Sequence, residues 1–195
     1  MILAFYILSF NVWCIFIIVF ILLVQYLIKN KNIFIVTFFI FFLLLIYFEL
    51  LPNFYSLIQP DSYSYITGNN TQKHLYTIII KALTNVDNNF DYLISFQKIL
   101  LISSILFLFI ILSKTNLFLA LLFLVLLVFN ISYISYSKVV LTESIFFSFL
   151  NFFLGFILFY EKTKKEILIY LACFCLGGLY AVKSIGFVIT IPFFL

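Results

Sequence analysis

The sequence predicts an all-α protein, a polytopic bundle of transmembrane helices with an amphipathic helix on its outer face. Of the 195 residues, 66% are hydrophobic and only 9% are charged, whereas about a quarter are charged in an ordinary soluble domain. Phe alone contributes 29 residues. A small globular domain buries only about 70% of the surface of its unfolded chain and cannot hide so much apolar surface. A disordered chain is excluded as well, because disorder requires low hydrophobicity and high charge.

Long apolar runs predict six full spans, because a helix needs about 17–25 apolar residues to cross the bilayer core. The predicted spans cover residues 2–28, 33–51, 92–113, 117–136, 139–160 and 167–183. A partial seventh span is predicted at 185–195, since a helix of that length rises only about 16 Å. We therefore expect residues 1–195 to form a single transmembrane domain that is a piece of a longer protein.

Lysines in the short connections predict the orientation of the bundle. Six of them lie in the connections at 29–32, 114–116 and 161–166, and the positive-inside rule places such loops in the cytoplasm. The long segment 52–91 is then outside. We expect an integral protein of a bacterial inner membrane with its N-terminus outside. Lysines scattered between apolar runs are typical of helix anchoring, so no nucleic-acid partner is expected.

Within the outer segment, residues 72–86 have helical periodicity and predict an amphipathic helix that lies in the outer interface. Its apolar face is expected to contain Leu75, Ile79, Ala82, Leu83 and Val86. A surface strand is the weaker alternative, because the alternation does not have a period of two. Before this helix, Asp61 is placed to cap a short helix over 62–66.

Ionisable residues inside spans cost about 2.5–3.5 kcal/mol each at mid-helix and are therefore candidates for function. The candidates here are Glu49, Lys98, Glu143 and Lys183, which all fall in the outer halves of their predicted spans. Asp61 and Lys138 lie on the same side. Snorkelling accounts for Glu49 and Lys98 without any function, and helix capping does the same for Asp61. Any chemistry is expected at the outer face.

The order of these features resembles the N-terminal half of the GT-C superfamily of membrane glycosyltransferases, in particular the polyprenyl-phosphate-sugar-dependent type. A span leads to an outer loop with an early Asp61 and an amphipathic helix. Two spans joined by a basic turn then lead to Leu141-Thr142-Glu143, and a Gly-rich stretch follows that contains Lys183 near Gly186. The resemblance covers about residues 33–195.

The resemblance implies transfer of a hexose or pentose from a lipid-phosphate-linked donor to an acceptor at the outer face. Asp61 would be the catalytic general base. Substrate-binding roles fall to Tyr63 and Tyr65, which stack on the sugar, to Lys138 and Lys183, which stabilise the leaving phosphate, and to Glu143, which orients the acceptor or holds a lysine. Many members carry a second acidic residue where this chain has Ser62, so no metal or other cofactor is expected. The expected partners are membrane lipid and the lipid-linked donor, and the sequence does not identify protein partners.

Other classes of function stay open. One is a non-catalytic polytopic membrane protein, such as a transporter of lipid-linked sugars or a subunit of a polysaccharide assembly complex. Another is a polysaccharide polymerase, which also has many spans and an outer loop. A transporter needs polar residues at mid-membrane on both halves of its path. The candidates found here lie on the outer side, which favours the glycosyltransferase.

Overall fold

The structure, a computed structural model, describes residues 43–44, 46–47, 62, 65–66, 74–84, 90–130, 132 and 135–183. All the regular structure in these residues is helical. It comprises the helices α1 His74–Thr84, α2 Asp91–Thr115, α3 Leu117–Phe129, α4 Glu143–Thr163 and α5 Ile167–Val182. A short 3₁₀ turn at Tyr136–Lys138 precedes α4.

Helices α2 and α4 run parallel, and α2 is the most buried helix of the described part. Partners across their interface stay 47 or 48 positions apart along the chain, which fixes the register over the full length of both helices. These contacts join Ser144 Oγ to the Gln97 carbonyl, Asn151 Nδ2 to Ser104 Oγ, the Gly155 backbone to the Phe107 ring, and Lys162 Nζ to the Lys114 carbonyl. Small and polar residues of this kind let two apolar helices approach closely.

Two glycines set the spacing of α4 against its neighbours. A Cβ atom at Gly155 would lie 2.5 Å from Cε1 of Phe107, and one at Gly178 would lie 2.7 Å from Cε1 of Phe149. Real Cβ atoms do not approach other atoms this closely. The ring of Phe107 therefore packs directly on the α4 backbone, and the ring of Phe149 packs directly on that of α5.

Short turns reverse the chain after α2 and after α4. Asn116 ends α2 and caps α3, because its side-chain oxygen accepts hydrogen bonds from the backbone N–H groups of Phe118 and Leu119. Lys164 ends α4 in the left-handed conformation with φ 56°, and its N–H donates to the Tyr160 carbonyl. Helices α3 and α5 consequently run antiparallel to α2 and α4.

The prediction of six full spans and a partial seventh is wrong. Among the described residues only α2 and α4 are long and apolar enough to cross a membrane; they correspond to the predicted spans 92–113 and 139–160. Helix α3 has 13 residues and α5 has 16, so they rise only about 20 Å and 24 Å, short of the roughly 30 Å bilayer core. The apolar run 117–136 contains a helix that ends before Asn130, and its length alone does not reveal that end.

The remaining predicted spans fall mostly on residues that the structure does not describe. The spans 2–28 and 185–195 lie outside the described residues, and only four positions of 33–51 lie within them. Two long apolar helices support association with a membrane.

The predicted amphipathic helix is present as α1, but it buries a different face. The side chains that pack most deeply are Tyr76 at 0% and Ile80 at 2% exposure, and Thr77 is also buried. Ala82, which belongs to the predicted apolar face, is exposed. The buried face includes Tyr76, whose hydroxyl forms a hydrogen bond with Gln97 of α2, and an apolar count does not detect such a contact. Val86 lies outside the described residues.

Candidate functional site

An ion pair joins the start of α4 to the end of α5. Lys183 Nζ lies 2.7 Å from Glu143 Oε1, and the two side chains are 31% and 24% exposed, respectively. The antiparallel arrangement of the two helices brings these ends together. Glu143 lies in the first turn of α4 and Lys183 follows the last turn of α5, so each charge is also favoured by the dipole of its own helix. The two side chains are therefore partly exposed, and each is stabilised both by its partner and by its own helix.

Thr142 completes this cluster, which we call the ion-pair end (Thr142, Glu143 and Lys183). Its hydroxyl donates to Glu143 Oε2 at 3.3 Å, so both oxygens of the carboxylate have a partner. The carbonyl of Thr142 accepts the N–H of Phe146, the first hydrogen bond of α4. The Leu-Thr-Glu stretch thus forms the entry to the helix and fixes the direction of the carboxylate.

The corner before α4 is tied to a distant part of the chain. The buried Ser62 hydroxyl donates to the Val140 carbonyl at 2.6 Å across 78 positions of sequence. Val140 lies three positions before Glu143. Asp61, the predicted catalytic base, precedes Ser62 in sequence but lies outside the described residues, as does Tyr63.

Gln97 of α2 is the buried polar centre beneath this corner. Its side-chain nitrogen donates to the Tyr76 hydroxyl at 2.8 Å and to the Leu141 carbonyl at 3.0 Å. One side chain thereby connects α1, α2 and the corner. Its other amide atom, Oε1, is buried, and no donor from the described residues reaches it. Exchanging the two amide atoms would set an oxygen against the Leu141 carbonyl, so the orientation is fixed by its partners.

Tyr76 takes part in the electrostatics of the site although it carries no charge. Burial raises the pKa of its hydroxyl well above the usual value, and the Gln97 hydrogen bond offsets part of that rise. Electrostatic interactions with Tyr65 and with the Glu143 carboxylate raise this pKa further. The Glu143 carboxylate is therefore close enough to α1 to affect the pKa of Tyr76.

Two other predicted substrate residues are described. Tyr65 is buried at 1% exposure, and its ring packs edge-to-face on Tyr76 with the centroids 5.1 Å apart. Lys138 is half-buried at the end of the 3₁₀ turn, five positions before Glu143. The structure thus brings Glu143 and Lys183 into contact and sets Tyr65 in the core beneath them. The substrate-binding roles of these residues stay predictions.

An apolar cavity of about 330 Å³ begins within one turn of the ion-pair end. Ile145, two residues after Glu143, lines it together with Ile79 of α1. The rest of its wall is mostly aromatic and includes Phe96, Phe149, Phe152, Phe156 and Phe174. The Ser148 hydroxyl at the wall is already donated to the Ser144 carbonyl. This surface therefore suits an apolar chain.

No family model, curated protein or solved structure matches this chain. The site is accordingly interpreted from its own chemistry.

Sequence reasoning missed Gln97 and Tyr76, and it named Thr142 only as part of the Leu-Thr-Glu stretch, without a role. Gln97 had a usable signal, because an amide inside an apolar helix is expected to face the bundle and find a partner. Tyr76 had none, since a tyrosine near a helix end is common and satisfied by water. In the described residues, no three His, Cys, Asp or Glu side chains come together as metal ligands would.

Proposed function

We propose that this chain is a membrane glycosyltransferase, or part of one, that transfers a sugar from a lipid-phosphate-linked donor to an acceptor hydroxyl. The observation that carries this proposal is the Glu143–Lys183 pair beside one end of the apolar cavity. A lipid phosphate has the same two parts, an anionic group and an apolar chain. Lys183 supplies a cation for the phosphate, and the aromatic wall supplies a surface for the chain.

The proposed step begins when the acceptor oxygen attacks the anomeric carbon of the sugar. The bond from that carbon to the phosphate oxygen breaks, and its electron pair leaves with the lipid phosphate. The acceptor proton passes to the Asp61 carboxylate, which must come within about 3 Å of the hydroxyl. Lys183 and Lys138 stabilise the charge on the leaving phosphate. Glu143 keeps the Lys183 ammonium in place, as their 2.7 Å contact supports.

The length of α4 and the lysines at its far end together support a placement of this site at the outer face. Its 21 residues rise about 30 Å, which matches the thickness of the bilayer core. The lysines at the far end of α4 favour the cytoplasm by the positive-inside rule. The ion-pair end then lies at the outer leaflet of a bacterial inner membrane, where an undecorated acceptor and a lipid-linked donor meet.

Transfer assays on the full chain in membranes test this proposal. A panel of radiolabelled polyprenyl-phosphate hexoses and pentoses is the donor set. Asp61→Asn should lower transfer by at least about a hundredfold, because a general base contributes roughly 10²–10⁴ in rate. Lys183→Gln should weaken transfer while a matched change of the exposed Lys81 on α1, Lys81→Gln, leaves it unchanged.

Two results would overturn the proposal. If Asp61→Asn transfers sugar as fast as the parent at the same membrane level, the catalytic assignment is wrong. If the parent protein binds these donors but transfers from none of them, the protein is a non-catalytic carrier or subunit.

A further inference from the structure

A second charged cluster lies at the opposite end of α2 and α4 from the ion pair. It contains Lys114, Lys162, Lys164 and Lys165, and we call it the lysine end. The Lys162 ammonium donates to the Lys114 carbonyl and so joins the C-terminal ends of the two long helices. Lys164 is held in the left-handed conformation with its ammonium 5.4 Å from the centre of the Tyr160 ring. Lys162 and Lys164 are therefore positioned by contacts with the fold.

Within the described residues, the lysine end carries a net positive charge. Two glutamates, Glu161 and Glu166, lie in the same turn, so that four lysines and two glutamates leave a net charge of +2. Lys114 and Lys162 are also close enough for their ammonium groups to repel each other. An anion placed here would relieve that repulsion.

Exposed apolar side chains begin directly beside these lysines. Helices α3 and α5 start from this end, and their first turns expose Leu117, Phe118, Leu119, Ile167 and Tyr170. Phe118 is 70% and Tyr170 is 67% exposed. Cationic side chains above a band of exposed apolar and aromatic ones match the two layers of a membrane surface, headgroup and hydrocarbon.

We infer that the lysine end binds the phosphate groups of anionic lipid headgroups. The charge of the cluster selects an anionic leaflet over a zwitterionic one, and the first turns of α3 and α5 insert beside it. This inference needs association with a membrane but not the proposed sugar transfer. A failure of one is therefore distinguishable from a failure of the other.

Lipid selectivity of the reconstituted full chain tests the inference. Electron paramagnetic resonance compares spin-labelled phosphatidylglycerol with spin-labelled phosphatidylcholine at the protein surface in phosphatidylcholine bilayers. The parent should prefer phosphatidylglycerol, and added salt should reduce that preference. Each Lys→Gln change should lower the preference about fivefold at most, because a lysine near an anionic surface contributes roughly 1 kcal/mol.

The strongest variant carries Gln at all four positions, Lys114, Lys162, Lys164 and Lys165. If it fails to fold, two pairs of changes keep the test informative, namely K114Q with K162Q and K164Q with K165Q. The matched control is K81Q, which removes a lysine from α1 at the other end. Arg at the same four positions should retain the preference. The inference fails if the Gln pairs keep the full preference or if K81Q lowers it equally. It also fails if inorganic phosphate displaces the labelled lipid where chloride does not, because the site would then bind a soluble anion.

Discussion

The Gln97 side-chain nitrogen lies 2.8 Å from the Tyr76 hydroxyl oxygen and holds α1 against the N-terminal third of α2. The same nitrogen reaches the Leu141 carbonyl at 3.0 Å. The Gln97 amide therefore holds both α1, which lines the cavity, and Leu141, which lies just before Glu143. The geometry of the ion-pair end depends on a residue that does not touch either charge.

Replacement of Gln97 should destabilise the fold more than replacement of its partner. Gln97→Leu keeps the volume but leaves the Leu141 carbonyl and the Tyr76 hydroxyl without this donor, at a cost of about 2 kcal/mol in the free energy of unfolding. Tyr76→Phe removes one hydroxyl and should cost about 1 kcal/mol. Unfolding in detergent micelles measures both, with the exposed Lys81→Ala as the control. Equal stability of Gln97→Leu and the parent would show that the corner is held in another way.

Substitution by alanine should have different effects on stability at two glycines of the bundle. Gly155→Ala forces a methyl group against the buried Phe107 ring, and over-packing of this kind costs about 1–3 kcal/mol. Gly177 on α5 has no atom within 4 Å of an added Cβ. Gly177→Ala should therefore be neutral or should stabilise the helix by up to about 1 kcal/mol. Thermal unfolding of the two variants side by side distinguishes a packing effect from a general intolerance of substitution.

The ion pair should show a modest coupling energy. Each side chain is less than a third exposed, so a double-mutant cycle of Glu143→Gln and Lys183→Met should give about 1 kcal/mol, near the upper end for accessible pairs. The reversed pair, Glu143→Lys with Lys183→Glu, should recover less stability than it loses through the helix dipoles, because both charges then oppose them. A coupling energy of zero would mean that the two charges meet without stabilising the fold.

Alkaline pH should loosen α1 through Tyr76. Burial raises the pKa of this hydroxyl, so the folded state favours the neutral phenol. The unfolded chain begins to lose its proton near the usual value of about 10. The contribution of the Tyr76 hydroxyl to the free energy of unfolding is therefore fully present below about pH 10 and declines as the pH rises above that value. The difference in unfolding free energy between the parent and Tyr76→Phe should shrink over that range, and a constant difference would contradict the burial argument.

Much of the helical pattern was predictable, because apolar runs and polar breaks determine where α2 and α4 lie. Helix α5 ends within one residue of the predicted span 167–183. The end of α3 was not predicted, because the helix ends at Phe129 whereas the predicted span continued to 136 across Asn130 and Ser132. The partner of Glu143 illustrates the same difficulty at the site. Lys138 is nearer to Glu143 in sequence than Lys183 is. The contact with Lys183 follows from the antiparallel register of α4 and α5. Such register is a property of packing between elements.

Phe149 has two neighbours of very different kinds. One part of its ring contacts the bare backbone at Gly178, and the ring also forms part of the cavity wall. A side chain at position 178 would displace this ring. The shape of the cavity thus depends in part on the absence of a methyl group from the neighbouring helix.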